Sequence, residues 1–169
     1  MDFYQTSNSI FTEIRRAVTP LVGTPEAGVT TGTGADGTPT KYIDKIAEDI
    51  AISHIKEENI CHLLISEEAG KVEMGGDSGT IFLDPVDGTY NALMNIPFFA
   101  VSLCAAVRGC ACTLSIGIAG TACCFYVFSQ TACRRPHKYQ RYSIRRLPCI
   151  QKATDPLLLP PNPDILTDT

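Results

Sequence analysis

The stretch Asp84-Pro85-Val86-Asp87-Gly88-Thr89 decides the fold and the chemistry of this chain. It follows an apolar run, 80–83, that is typical of a buried strand. A second strand-like run, 63–65, ends shortly before the pair Glu67-Glu68. Four carboxylates thus stand at two predicted strand ends, where they repel one another unless a cation lies between them. Such hard oxygen ligands suit Mg²⁺ or Mn²⁺, and the Gly-Thr pair offers backbone N–H groups to a phosphate. The pattern predicts metal-assisted phosphate chemistry.

The composition is that of an ordinary globular chain. Its 169 residues carry a formal net charge of −4, which argues against nucleic acid or an anionic membrane as the main partner. No run reaches the ~20 apolar residues of a membrane span, and the N-terminus lacks the basic and apolar pattern of a signal peptide. We therefore expect a cytoplasmic protein with no nucleic-acid partner and no membrane partner.

The eight cysteines do not have the spacing of a zinc site. Only Cys61 lies in the first hundred residues, and no Cys-x-x-Cys pair occurs. The sequence favours buried reduced thiols, because cysteine packs like a small apolar residue. A soft-metal site at Cys110/Cys112 or Cys123/Cys124 is the alternative.

Apolar spacing predicts two helices before the first strand. One covers 3–18, and the other starts at Thr38-Pro39-Thr40, with the proline in its first turn. The glycine- and threonine-rich segment between them, 28–37, has no apolar period and is interpreted as a loop, with Asp36-Gly37 as a turn. The inward-facing residues of the second helix are predicted to be Ile43, Ala47, Ile50 and Ile55.

The segment after Thr89 predicts a short helical turn near 90–94 and then strands. Three strand-like runs follow Pro97, separated by Gly109 and Gly120, and are consistent with an antiparallel meander. They cover 98–107, 112–118 and 122–128.

The character of the chain changes near Phe128. No glutamate occurs after Glu73 and no glycine after Gly120, so the usual residue for turns with positive φ is lost. We therefore divide the chain into a metal- and phosphate-binding region, 1–128, and a basic and then proline-rich tail, 129–169, which we expect to be poorly structured.

Five segments follow one another along the chain: Thr40-Lys41-Tyr42-Ile43-Asp44, Ser66-Glu67-Glu68, Asp84–Thr89 with Asn91, Ile96–Leu103 and Ser115–Gly120. In this order they resemble the inositol monophosphatase and fructose-1,6-bisphosphatase superfamily of Mg²⁺-dependent phosphatases. The resemblance covers about 5–128 and implies an α+β fold: the N-terminal half of a layered sugar-phosphatase fold, with helices on a largely antiparallel sheet. The segment 34–40 is similar to the archaeal branch, whose members often accept both inositol phosphates and fructose 1,6-bisphosphate.

Another phosphatase motif is excluded by its spacing. Haloacid-dehalogenase enzymes use Asp-x-Asp-Gly-Thr, with the first aspartate as a covalent nucleophile. Here two residues separate Asp84 from Asp87. This spacing favours metal-activated water over an aspartyl-phosphate.

The resemblance implies a ligand set for two Mg²⁺ ions, with Mn²⁺ as the alternative. Glu67, Asp84 and the backbone carbonyl of Val86 would hold one ion. Asp84 would bridge to a second ion that Asp87 also binds. Two such ions act on the attacking and leaving oxygens of an in-line displacement.

The resemblance also implies the catalytic and phosphate-binding residues. Glu67, helped by the Thr89 hydroxyl, would activate the attacking water, and Asp87, Gly88 and Thr89 would bind the substrate phosphate. Asp44 and Glu68 are second-tier candidates.

Each candidate also has a purely structural interpretation. Taken alone, Glu67-Glu68 is typical of solvated loop carboxylates, and Asp84 and Asp87 of turn residues. The three motifs in one order favour the metal site. His54 and His62 belong to no motif, so surface or packing roles are favoured for both.

The sequence also departs from the family. Its members have a second half with a Trp-Asp-x-Ala-Ala-like motif that supplies another metal-binding aspartate, and no such motif occurs here. We therefore expect a truncated or frame-shifted chain whose activity is weak or absent.

The expected substrate is a small phosphorylated metabolite, inositol 1-phosphate or fructose 1,6-bisphosphate, with 3′-phosphoadenosine 5′-phosphate as an alternative. A non-catalytic remnant that binds metal or a partner subunit is the rival hypothesis. A homodimer is expected only from the family resemblance.

Overall fold

The computed structural model describes residues 3–77, 79–107, 110–118, 125–130 and 142–146. Its helices and strands are α1 (Phe3–Val18), β1 (Thr30–Thr33), β2 (Pro39–Lys41), α2 (Tyr42–Glu58), β3 (Leu63–Ser66), β4 (Gly70–Glu73), β5 (Thr80–Asp87), α3 (Thr89–Leu93), β6 (Ala100–Val107), β7 (Cys110–Ile118), β8 (Phe125–Gln130) and β9 (Tyr142–Arg146).

A seven-stranded sheet forms the centre of the fold. Its strand order is β4-β3-β5-β6-β7-β8-β9, and a separate hairpin joins β1 to β2. Only β3 and β5 run parallel among these pairs, and the described part of β6, β7 and β8 forms the predicted antiparallel meander. The α+β class and the largely antiparallel sheet are confirmed.

The parallel pair sets the position of the functional residues. Ser66 at the end of β3 lies opposite Leu83 of β5. Because the carboxyl ends of parallel strands meet at one edge of a sheet, Glu67 comes to lie beside Asp84. The Glu67 backbone N–H donates to the Leu83 carbonyl at 3.1 Å and extends the pairing by one residue.

The two long helices pack against each other, and α2 also packs on β5. The predicted first helix is confirmed, and Ile10, Ile14 and Val18 are buried along it. His54 of α2 lies 2.6 Å from a Glu13 carboxylate oxygen of α1, which fits its expected packing role. His62 is exposed.

The predicted start of α2 was wrong. The helix begins at Tyr42, and Pro39 lies in β2, which pairs antiparallel with β1. The predicted loop 28–37 therefore contains a strand, because threonines favour an extended backbone even without apolar alternation. The turn at Asp36-Gly37 is present, with the Thr38 N–H donating to Asp36 Oδ1 at 2.8 Å.

The buried face of α2 differs in part from the prediction. Ile43, Ala47 and Ile55 are fully buried, whereas Ile50 is half-buried and Ala51 takes its expected place in the core. The helix also buries two carboxylates, Asp44 and Glu48, which apolar periodicity does not reveal.

The C-terminal strands lie partly outside the described residues. Of the tail 129–169, the structure describes 129–130 and 142–146, which belong to β8 and β9. Strand β8 pairs with β7 on one side and with β9 on the other, so it is not an edge strand of the sheet. Strand β4 was not predicted, because its segment lacks apolar alternation.

Two cysteines belong to the part of the chain whose side chains are described. Cys61 is buried and Cys104 is half-buried, and neither forms a disulfide bond. The pairs Cys110/Cys112 and Cys123/Cys124 fall on residues whose side chains are outside that part. Among the described residues, no helix is both long and apolar enough to cross a membrane.

We expect Ile14→Ala to lower the free energy of unfolding by about 2–5 kcal/mol, because it leaves a cavity between α1 and its neighbours. Ile14 is 0% exposed, whereas Ile96 is 39% exposed and makes a matched control. Urea unfolding followed by circular dichroism measures both variants. An equal loss in Ile96→Ala would contradict this placement of the core.

Candidate active site

The candidate site lies where β3 and β5 end side by side. Glu67 is the first residue after β3 and is exposed, whereas Asp84 is half-buried within β5. The two side chains lie close enough together for Glu67 to raise the pKa of Asp84. The sheet therefore brings together the two carboxylates that the sequence placed in one metal site.

The Asp84 carboxylate has an oxygen atom without a hydrogen-bond partner in the described part of the chain. Its Oδ1 atom is buried and has no hydrogen-bond partner among the described residues. Burial, and then the negative charge of Glu67 and the hydrogen bond with its side chain, raise the pKa of Asp84 to about 7. The charges of Asp87 and Asp44 act in the same direction. The site thus concentrates negative charge around one buried oxygen atom.

Among the described groups that shift the pKa of Asp84, none is a cation. The ion pairs of Lys45 with Glu48 and Asp49, and of His54 with Glu13, do not involve Asp84 or Glu67. Among the residues that the structure describes, no three Asp, Glu, His or Cys side chains converge as a ready-made metal site. The carboxylates therefore lie near one another, but no three of them are close enough to bind one metal ion. Their mutual repulsion opposes a closer approach.

An irregularity in β5 separates Asp84 from Asp87. Asp84 lies opposite Ser102 and Asp87 opposite Ala100, so β5 has one more residue than β6 between these two pairs. Pro85 falls in this bulge, where the lack of a proline N–H is tolerated. Asp87 is exposed at the end of the strand, so both aspartates are available at the same end of β5.

Gly88 makes the turn from β5 into α3. Its φ is +93°, in the left-handed region that side chains rarely adopt. A Cβ atom here would also lie 2.9 Å from the Phe98 carbonyl oxygen. Backbone conformation and close contact thus both require glycine, which starts the short helix that carries Thr89.

Thr89 connects this turn to α2. Its hydroxyl lies 2.9 Å from Asp44 Oδ1 and 3.0 Å from the Val86 carbonyl oxygen, and donates its proton toward these acceptors. Asp44 stands in the first turn of α2 and accepts from the Lys41 N–H at 3.3 Å. The structure thus brings the second-tier candidate Asp44 into direct contact with Thr89.

The environment of Asp44 favours its protonated form. Burial raises the pKa of Asp44 to about 6, against the effect of the hydrogen bond from Thr89. The negative charges of Glu68 and Glu67 contribute to this rise. Asp44 therefore belongs to the same electrostatic cluster as the carboxylates at the strand ends.

Glu68 turns toward the β1–β2 hairpin rather than toward β5. Thr40 donates its hydroxyl proton to Glu68 Oε2. A Cβ atom on Gly34 would lie 2.9 Å from the same oxygen, so a larger residue at position 34 would collide with the Glu68 carboxylate. Glu68 thus binds the hairpin to the end of β3.

Sequence reasoning missed Glu48. This residue of α2 is 2% exposed and accepts hydrogen bonds from the Ser66 hydroxyl and the Ala69 N–H. A glutamate at a helix position that faces the core, one turn after Asp44, was the signal that could have revealed it.

The chain is similar in sequence to known phosphatases. A profile described as the inositol monophosphatase family matches residues 4–122. A fructose-1,6-bisphosphatase/inositol-1-monophosphatase of Methanothermobacter thermautotrophicus is 47% identical over 100 residues, which cover 57% of this chain and 36% of that protein. A bifunctional NADP phosphatase/NAD kinase of Methanococcus maripaludis is 44% identical over 106 residues, which cover 61% of this chain and 18% of that protein.

The fold is also found in solved structures. The crystal structure of an inositol monophosphatase–fructose 1,6-bisphosphatase gene product superposes with a TM-score of 0.70 and 26% identity, covering 84% of this chain and 52% of that chain. The chain thus spans about half of this structure and about a third of the Methanothermobacter relative. Because the family profile matches well over half of its residues, the chain belongs to the inositol monophosphatase family.

Proposed function

We propose that this chain carries the metal-binding part of a phosphatase that hydrolyses a small phosphomonoester. The observation that carries the proposal is the buried, unpartnered Oδ1 atom of Asp84, which lies among negative charges that no described cation offsets. A divalent cation would supply the missing partner. Membership of the inositol monophosphatase family supports phosphate ester hydrolysis as the reaction.

The donor set fits a hard divalent cation. Glu67, Asp84 and the Val86 carbonyl would hold one ion, and Asp84 and Asp87 a second. All of these ligands are oxygen atoms, which Mg²⁺ and Mn²⁺ prefer. The Val86 carbonyl has two lone pairs, so its contact with Thr89 leaves one free for an ion. Bound ions would lower the pKa of water and neutralise charge on the phosphate.

Thr89 and Asp44 are proposed to orient the attacking water. Because the Thr89 hydroxyl directs its proton toward Asp44 and Val86, its oxygen remains free to accept a hydrogen bond from water. Glu67 is exposed at the adjacent strand end and would accept a hydrogen bond from the same water. As the water oxygen forms its bond to phosphorus and the ester P–O bond breaks, one water proton would pass to the Glu67 carboxylate, and the departing alcohol oxygen would take a proton from solvent. Thr89 would keep its own proton and only orient the water.

The turn at Asp87, Gly88 and Thr89 is proposed to receive the substrate phosphate. The left-handed backbone of Gly88 starts α3 without a side chain that could block an approaching anion. Backbone N–H groups at such a turn bind anions. Asp87 would act here through a bound cation, since a bare carboxylate repels phosphate.

The substrate classes come from the names of the relatives. These names include fructose 1,6-bisphosphate and inositol 1-phosphate phosphatases, and NADP phosphatases. All three substrates carry a phosphomonoester on a sugar or a cyclic polyol. 3′-Phosphoadenosine 5′-phosphate remains an untested alternative.

A non-catalytic metal-binding chain is the second candidate. It is favoured by the Asp, Glu, His and Cys side chains of the described residues, no three of which converge as a complete metal site. In this case the strand-end carboxylates would bind a cation without completing a substrate site. A homodimer or another partner subunit stays a prediction from the resemblance alone.

A phosphate-release assay with and without Mg²⁺ separates the two functions. For the phosphatase candidate we expect weak Mg²⁺-dependent release from inositol 1-phosphate, fructose 1,6-bisphosphate or NADP. Thr89→Val should lower this release by about 10²–10⁴-fold, because valine keeps the shape but removes the hydroxyl. Thr89→Ser should retain most of the activity. The exposed Asp77 makes a control, as Asp77→Asn should match the wild type.

Metal binding without phosphate release, under all substrates, would support the non-catalytic candidate. Release that is independent of Mg²⁺, or unchanged in Thr89→Val, would contradict the proposed mechanism.

Burial and mutual repulsion of the clustered carboxylates should make the free energy of unfolding depend on pH. The pKa of Asp84 is about 7 in the folded chain and about 4 in an unfolded one. Between these values the folded state holds a proton that the unfolded state has lost, so the free energy of unfolding falls as the pH rises. Asp44 adds to this fall up to its pKa of about 6.

In EDTA we therefore expect Asp84→Asn to be more stable than the wild type at about pH 8, by about 1–2 kcal/mol. This is less than the full pKa shift implies, because Asp84 is only half-buried and water screens its neighbours. At about pH 4 the difference should shrink toward zero. Urea unfolding at both pH values measures it, and a difference that does not change with pH would contradict the account.

A further inference from the structure

Glu48 is a buried carboxylate with an unusual set of partners. It lies on α2 one turn after Asp44, and only 2% of the residue is exposed. A buried charge is costly unless hydrogen bonds compensate it. Its Oε1 atom accepts from the Ser66 hydroxyl at 2.5 Å and from the Ala69 N–H at 2.8 Å.

These two donors flank the Glu67-Glu68 pair. Ser66 is the last residue of β3, and Ala69 is the first residue after Glu68. One oxygen atom of α2 therefore holds both ends of the turn that presents Glu67.

The nearby lysine does not account for the burial of Glu48. Lys45 Nζ lies 4.0 Å from Glu48 Oε2 but only 2.5 Å from Asp49 Oδ1, and the Lys45 side chain is 45% exposed. Ion pairs of this kind contribute little. The closest partners of the buried carboxylate are the two donors of the turn.

The rest of the turn is bound through its backbone and through Glu68. The Glu67 N–H donates to Leu83, and the Glu67 carbonyl accepts from the Ala35 N–H at 3.2 Å. Thr40 donates to the Glu68 carboxylate. The Glu67 side chain thus projects from a turn that is bound on each side, with Glu48 as the buried support.

We propose that Glu48 is a positioning residue, which fixes the Glu67-Glu68 turn so that the Glu67 carboxylate stays beside Asp84. The inference rests on the proposed function, because Glu67 needs this position only if it binds the proposed cation. Glu48 itself is not assigned to the ligand set, since its contacts are Ser66 and Ala69. It also links the first turn of α2, which carries Asp44, to the end of β3.

The test compares Glu48→Ala and Glu48→Gln in the full chain. Glutamine keeps an oxygen that accepts from both donors, whereas alanine removes it. Ile55→Ala is the matched control, since Ile55 is 0% exposed on the same helix and its loss destabilises the core without touching the turn. Two readouts are needed: amide hydrogen exchange across 66–70, and the Kd for Mn²⁺ from titration calorimetry.

We expect Glu48→Ala to accelerate exchange at the Ala69 amide and to weaken Mn²⁺ binding by about 10–100-fold, the usual effect of removing a residue that orients a ligand. Glu48→Gln should resemble the wild type in both readouts. Ile55→Ala should lose stability with unchanged Mn²⁺ affinity relative to the folded fraction.

Faster exchange with unchanged Mn²⁺ affinity would overturn the positioning role and leave Glu48 a structural residue. Unchanged exchange in Glu48→Ala would overturn the assignment outright. If the wild type binds no Mn²⁺, the proposed metal site fails and the ligand-positioning role fails with it, while the exchange data still decide whether Glu48 holds the turn.

Discussion

The parallel pairing of β3 with β5 is the constraint on which the site depends. Every other described pair in the main sheet is antiparallel, so this is the one place where two neighbouring strands end at the same edge. Glu67 and Asp84 are distant in sequence and come together because of this register. Three further features position the neighbouring residues. The bulge in β5 separates Asp84 from Asp87, the left-handed Gly88 turns the chain into α3, and the buried Glu48 accepts a hydrogen bond from the end of β3.

The meeting of these carboxylates opposes the stability of the metal-free fold. Asp84 has a buried oxygen without a partner among the described residues, and its pKa is raised to about 7 by burial and then by the charge of Glu67. A sequence selected only for stability would replace such a residue, since amide or apolar groups of similar size remove the repulsion. A divalent cation bound at Asp84 would compensate this cost. We therefore expect Asp84→Asn to stabilise the metal-free fold and to weaken metal binding.

Much of this organisation could be predicted from the sequence. Apolar runs indicate the strands 63–65 and 80–83, and the carboxylates that follow them have the chemistry of a metal site. The hairpin of β1 and β2 could not be predicted, because its threonines and glycines carry no apolar alternation. Glu48 was missed since its role comes from tertiary contacts with Ser66 and Ala69, which helix periodicity does not show. The Thr89–Asp44 contact likewise joins residues 45 positions apart.

Calorimetric titration of the metal-free chain with Mn²⁺ shows whether Glu67 and Asp84 bind one cation together. The variants are Glu67→Gln and Asp84→Asn, with Glu57→Gln as an exposed control on α2. The account predicts saturable binding by the wild type, weakened by at least about tenfold in either strand-end variant and unchanged in the control. Binding that survives both Glu67→Gln and Asp84→Asn would show that the two strand ends do not form one metal site, and would contradict the account.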